Sequence, residues 1–232
     1  MGEQARQVFA DGKAMLSKLV SQRRLTANGV FALLPARRTA PEDITLYADE
    51  ALKQPLLTWC GLRQQTQKPS GEFNKSLADY VAAQDSGVAD YLGCFAVCID
   101  GADRLAKEYE DKGDDYNAIL VKALADRLAE SFAERLHQRI RQEFWGYAPN
   151  ESLSNAALIA EEYQGIRPAP GYPSCPDHTV KTALFEALVA HRESCHATRL
   201  CGEWFLLLAS AVTVFQPWCN QRRSAARLCQ TR

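Results

Sequence analysis

Residues 114–145, DDYNAILVKALADRLAESFAERLHQRIRQEFW, place a large apolar side chain at every fourth position: Tyr116, Leu120, Leu124, Leu128, Phe132, Leu136, Ile140 and Phe144. This spacing predicts one long helix over 114–145. A helix turns about 100° per residue, so each four-residue step drifts by about 40° around the axis. The apolar ridge therefore winds, and different ends of the helix should pack on different elements. That is the habit of a central structural helix and not of an isolated coiled coil. Asp114 and Asp115 stand at its start, where a capping side chain and the positive end of the helix dipole favour acids.

Working outward, Ala5, Val8, Phe9, Met15, Leu16 and Leu19 give residues 3–20 one apolar helical face. Asn28-Gly29 predicts a turn. Val30–Leu34 then reads as a buried strand stopped by Pro35, Ile44–Tyr47 as a second strand, Leu56–Arg63 as a third and Tyr91–Ile99 as a fourth. Beyond the long helix, Ser154 is placed to cap a short helix over Asn155–Glu162. Residues 165–176, GIRPAPGYPSCP, hold four prolines, each lacking an amide donor and fixed in φ. They predict a stiff, extended loop with exposed carbonyls. Asp177 or Thr179 can cap a last helix running through Leu188. With neither internal repeats nor an interior linker, the expected fold is one α+β domain: long helices packed on a mostly antiparallel, twisted sheet.

Of the 232 residues, 47% are apolar and 24% charged, with a net charge of −1, so electrostatics gives no reason to expect a nucleic-acid partner. The longest apolar stretch, Trp204–Phe215, is shorter than the ~20 residues a membrane-spanning helix needs. The polar N-terminus does not read as a secretory signal, and the expected location is the cytoplasm. The eight cysteines form no CxxC pair and read as buried thiols. His191, Cys195, His196 and Cys201 are the one group with any claim to zinc, and they lack a recognised ligand spacing. Residues 189–232 differ from the rest, with six arginines but no lysine, aspartate, tyrosine or isoleucine. They read as an atypical tail, either an unusual extension or the product of an altered reading frame, and the latter is preferred.

Chemistry concentrates in the proline loop. Arg167 can hold a carboxylate through two parallel hydrogen bonds. Tyr172 can offer its ring face to a cation. A carboxylate and a cationic sulfur are two of the charged features of an amino-acid sulfonium. The same segment would also serve as a rigid connector or a partner-binding strip. Glu130 on the long helix and Glu161 just before the loop are acidic candidates, each equally an ordinary surface glutamate. His137 and His178 have no evident nucleophile or carboxylate partner, and neither common phosphate-loop spacing occurs.

Asp115–Glu130, Glu143–Pro149 and Tyr163–Pro173, together with Leu62–Gln65 and Ala78–Ala82, resemble the activation domain of cobalamin-dependent methionine synthase over roughly residues 2–188. The RPAPGYP loop combined with the DYN helix start is highly specific. The resemblance implies a module that binds S-adenosylmethionine while a neighbouring module holds cobalamin. A flavodoxin-type reductant supplies the electron for reductive remethylation of oxidised cobalamin. By matching position, Arg167 would hold the carboxylate, Pro168 and Ala169 would contact the adenosine, and Tyr172 would line the site with Glu161 and Glu130 as acidic neighbours. The family's upstream Asp-Trp contact and its downstream Ser-x-Ser-Gly-x-Tyr-Phe segment have no counterpart here. Residues 1–188 therefore read as an N-terminally truncated activation domain. The alternative is a fragment that keeps the fold as a binding or interaction protein without activity.

Overall fold

A computed structural model describes residues 2–192 and 211–214. The described residues divide into two compact units: 2–29 with 97–136, and 30–96 with 137–192 and 211–214.

The first unit is helical. It holds α1 (Glu3–Gln22), α2 (Ala102–Glu110) and most of α3 (Asp115–Arg139). Met15, Leu19, Ala102, Leu105, Val121 and Ala125 form its core, with Leu25, Ile99, Tyr109, Leu120 and Leu124 packed around them. Only the second half of the face expected on α1 is covered, because Val8 and Phe9 are exposed. The first half is instead tied by a polar contact, the Tyr116 hydroxyl donating to Asp11 at 2.8 Å.

Asp114 caps α3 as expected, accepting from the Asn117 amide at 3.1 Å and from its side chain at 2.7 Å. The buried face differs from the predicted ridge. It is made of Ala118, Val121, Ala125, Ala129, Ala133 and Leu136, while Tyr116 is exposed. Small side chains let neighbouring backbone approach closely, so alanines occupy the line of contact and the larger residues flank it. Close approach also explains why Asn28-Gly29 makes no turn: β1 (Thr26–Arg38) runs straight through it. A Cβ on Gly29 would stand 3.1 Å from the Phe132 ring and 3.3 Å from Leu136.

The second unit carries the sheet, in the order β3-β2-β1-β4-β5, with β2 at Asp43–Tyr47, β3 at Pro55–Cys60, β4 at Asp90–Asp100 and β5 at Ala211–Val214. β2 pairs antiparallel with β1 (Arg37 opposite Thr45) and with β3 (Thr45 opposite Thr58), and β5 pairs antiparallel with β4. Residues 32–37 of β1 are buried without a break. An inner strand covered on both faces reads as a continuous apolar run, not an alternating one. Pro35 does not stop it. The rungs to β2 begin at Ala36, so the missing amide falls outside them. Pro55 opens the outermost strand, a position where proline is tolerated. Cys94 and Cys175 are buried as expected, but Cys60 is exposed near the end of that outer strand.

Two of the motif fragments meet in this unit. The Arg63 guanidinium donates to both oxygens of Asp79 at 2.7 and 2.9 Å, to Glu42 at 3.1 Å and to the Asn74 carbonyl at 2.7 Å. Hydrogen bonding from Arg63 holds the Asp79 carboxyl below the usual range. Asp79 also completes a capping box with Ser76 at a short 3-10 turn, Leu77–Tyr80. Of the atypical tail, only 189–192 (the end of helix α5, Val180–Arg192) and β5 fall within the described residues. The remainder, with Cys195, His196 and Cys201, lies outside them.

Candidate functional site

The last turn of α3 widens into a π turn, Ile140–Phe144, in which the Trp145 amide donates to the Ile140 carbonyl five residues back at 2.8 Å. Such turns recur at functional sites. His137 and Arg141 are four apart and share a helical face; His137 has no exposed surface and Arg141 has 1%. A buried guanidinium must be paired. Arg141 donates to both oxygens of Glu151 at 2.7 and 2.6 Å. It donates a further bond to His137 Nδ1 at 2.7 Å. Because guanidinium nitrogens only donate, Nδ1 is an acceptor and the imidazole proton sits on Nε2. That N–H is buried and has no hydrogen-bond partner among the described residues. Burial first, then the charges of Arg141 and Arg167, push the imidazole down to about 2, so it is neutral in the native protein.

This cluster grips the chain entering the proline loop. Arg141 lies over the Tyr163 ring, 4.2 Å from its centre, and His137 meets the same ring edge-on at 5.1 Å. The Tyr147 hydroxyl donates to the Gln164 carbonyl at 3.0 Å. Burial raises the Tyr147 pKa and keeps that proton in place. Residues 163 and 164 are thus fixed from two sides.

The loop itself is not extended throughout, as its prolines had implied. Tyr172 N donates to Ala169 O at 3.0 Å, Cys175 N to Tyr172 O at 2.8 Å, and Gly171 N to Cys175 O at 2.8 Å, closing a compact turn. The prolines remove donors at 168, 170, 173 and 176, leaving the amides of 169, 171, 172, 174 and 175 for turn formation. Gly171 sits at φ +99°, and a Cβ there would run into the His178 ring, so only glycine fits.

Arg167, Pro168, Ala169 and Tyr172 therefore stand on one folded loop. Arg167 is half-buried, Pro168 is buried and Ala169 half-buried. Tyr172 is 64% exposed, which leaves its ring open to a ligand. Glu161 is exposed at the end of helix α4 (Asn155–Ile159), in a left-handed conformation, with α4 capped by Ser154 as expected. Glu130 belongs to the first unit, exposed and paired with Arg127 at 2.9 Å. Sequence reasoning finds no partner for His137 and misses Arg141 and Glu151, while Tyr163 enters it only as the first residue of the Tyr163–Pro173 segment. The available signal was the four-residue spacing of His137 and Arg141 at a helix end. Among the described residues no three His, Cys, Asp or Glu side chains gather as a metal site would need, and no helix is long and apolar enough to cross a membrane.

The histidine makes stability depend on pH. Its folded pKa lies below the ordinary 6.5, so as pH falls through 6.5 the unfolded chain takes up a proton that the native chain refuses. Stability is then lost progressively between pH 6.5 and about 2, at up to about 1.4 kcal/mol per pH unit. Urea unfolding between about pH 7.5 and 5 should show this fall. His137→Gln should flatten it, and equal slopes in the two proteins would count against a buried neutral imidazole.

By fold the chain is an α+β module in which the end of a long helix anchors a proline-rich loop. It belongs to the family of vitamin B12-dependent methionine synthase activation domains, whose model matches residues 1–215. That family is part of methionine synthase, a methyltransferase. Among solved structures, the chain is 45% identical to one described as the MetH reactivation domain bound to AdoHcy. The TM-score is 0.76, and the match covers 94% of this chain and 67% of that one.

Proposed function

We propose that this chain binds S-adenosylmethionine and presents it for the reactivation of cobalamin held by a neighbouring module of methionine synthase. The observation that carries the reading is the anchored loop: a guanidinium just before a compact turn and an open phenol ring on it, in a family member 45% identical to a domain bound to AdoHcy. S-adenosylmethionine, when bound, supplies the methyl group; this chain's residues bind and orient it. Arg167 donates two bonds to the carboxylate. Tyr172 turns its ring face to the sulfonium. Pro168 has no amide to donate, and the backbone around Pro168 and half-buried Ala169 contacts the adenosine. Glu161, just before the loop, adds negative charge that favours a cation.

In this reading residues 1–188 are the activation module and a flavodoxin-type reductant supplies the electron. The setting is cytoplasmic, and this chain by itself does not complete a catalytic cycle. Calorimetric titration with S-adenosylmethionine tests it. A saturable one-to-one heat is expected; absence of binding would leave a fragment that keeps the fold and has lost the ligand.

A further inference from the structure

The polar side chains Arg141, Glu151 and Gln142 pair with one another, whereas His137 keeps a buried donor apart from those pairs. Arg141 satisfies Glu151, and Gln142 Nε2 donates to the Glu151 carbonyl at 2.7 Å. His137 gives the cluster a single acceptor and keeps a buried Nε2–H with no partner among the described residues. Burying an unsatisfied donor is costly, and an apolar ring of the same shape would avoid that cost. What the imidazole contributes instead is geometry. It accepts from Arg141 on one side and stands edge-on to Tyr163 on another, and Tyr163 lies four residues before Arg167. The charge of Arg167 acts on His137, so the guanidinium lies in the neighbourhood of this cluster.

We propose that His137 is a positioning residue for ligand recognition: it fixes Arg141 and Tyr163 so that the backbone carrying Arg167 presents its guanidinium to the carboxylate of an amino-acid ligand. The proposal rests on the ligand reading above. It makes His137 selective in effect, acting on ligands that carry the carboxylate and not on those that lack it.

The test uses the 232-residue chain and two probes, S-adenosylhomocysteine and 5′-methylthioadenosine, which lacks the amino-acid portion. His137→Phe keeps a ring but cannot accept from Arg141; His137→Gln moves its polar end away from Arg141 and stands in if the phenylalanine variant does not fold. We expect at least about a tenfold loss of S-adenosylhomocysteine affinity, with less than about a twofold change for methylthioadenosine. His137→Asn, whose oxygen replaces Nδ1, should recover most of the loss. In an Arg167→Ala background the His137 substitution should cost nothing further. Equal losses for both probes, or additive losses with Arg167→Ala, would make His137 merely structural and overturn the proposal. So would unchanged S-adenosylhomocysteine affinity. Failure of the unaltered chain to bind S-adenosylhomocysteine would instead overturn the ligand reading itself, and this proposal with it.

Discussion

Replacing Arg167 with alanine is expected to weaken S-adenosylmethionine binding well beyond tenfold. A carboxylate held by two charge-assisted bonds loses both at once, and nothing else on the loop carries a positive charge. Truncating one partner of a hydrogen-bonded charge pair costs about 2–5 kcal/mol. Arg167 is only half-buried, so the lower end applies, about 2 kcal/mol or roughly thirtyfold. Arg167→Lys should fall in between, because it keeps the charge but loses the planar fork. Calorimetry reads both variants directly. Unchanged affinity in Arg167→Ala would remove this residue from the site.

The largest effect on stability is expected at Glu151. Its side chain is 6% exposed and its partner Arg141 is 1% exposed. Glu151→Gln leaves a buried guanidinium without its counter-charge, a loss of about 3–5 kcal/mol. Native proteins are stable by only about 5–15 kcal/mol. For a chain of this length that corresponds to a drop of roughly ten degrees in thermal midpoint. Glu130→Gln is the matched control: its pair with Arg127 is exposed on both sides, at 47% and 69%, and should cost under about 1 kcal/mol. Arg141→Met combined with Glu151→Leu should recover much of the loss, since it removes both charges together. Thermal unfolding of these proteins decides the matter. A Glu151→Gln midpoint no lower than that of Glu130→Gln would contradict the buried pairing.

Elements whose signal is local were legible in the sequence. Asp114 and Ser154 cap the helices they were expected to cap, and the β2, β3 and β4 strands lie within a few residues of their predicted ends. What failed depended on tertiary contact. Gly29 reads as a turn residue by type but serves as a gap for the Phe132 ring. Pro35 reads as a strand breaker but falls outside the paired rungs with β2. Phe9 reads as core but is exposed, since no single-helix pattern tells which end will be covered. The same divide runs through the site. Arg167 and Tyr172 stand out because prolines mark their loop, whereas Glu151 and Tyr163 look like ordinary residues until folding brings Arg141 against both.

The π turn that closes α3 also sets a rule about chain length. One extra residue in that turn puts everything after it about 100° out of phase with an unbroken helix. Deleting a single residue between 140 and 144 would restore regular pitch, yet it would swing Trp145 and the segment leading to Glu151 toward another side of the axis. At this point the chain should tolerate exchanges of side chain more readily than any change in the number of residues.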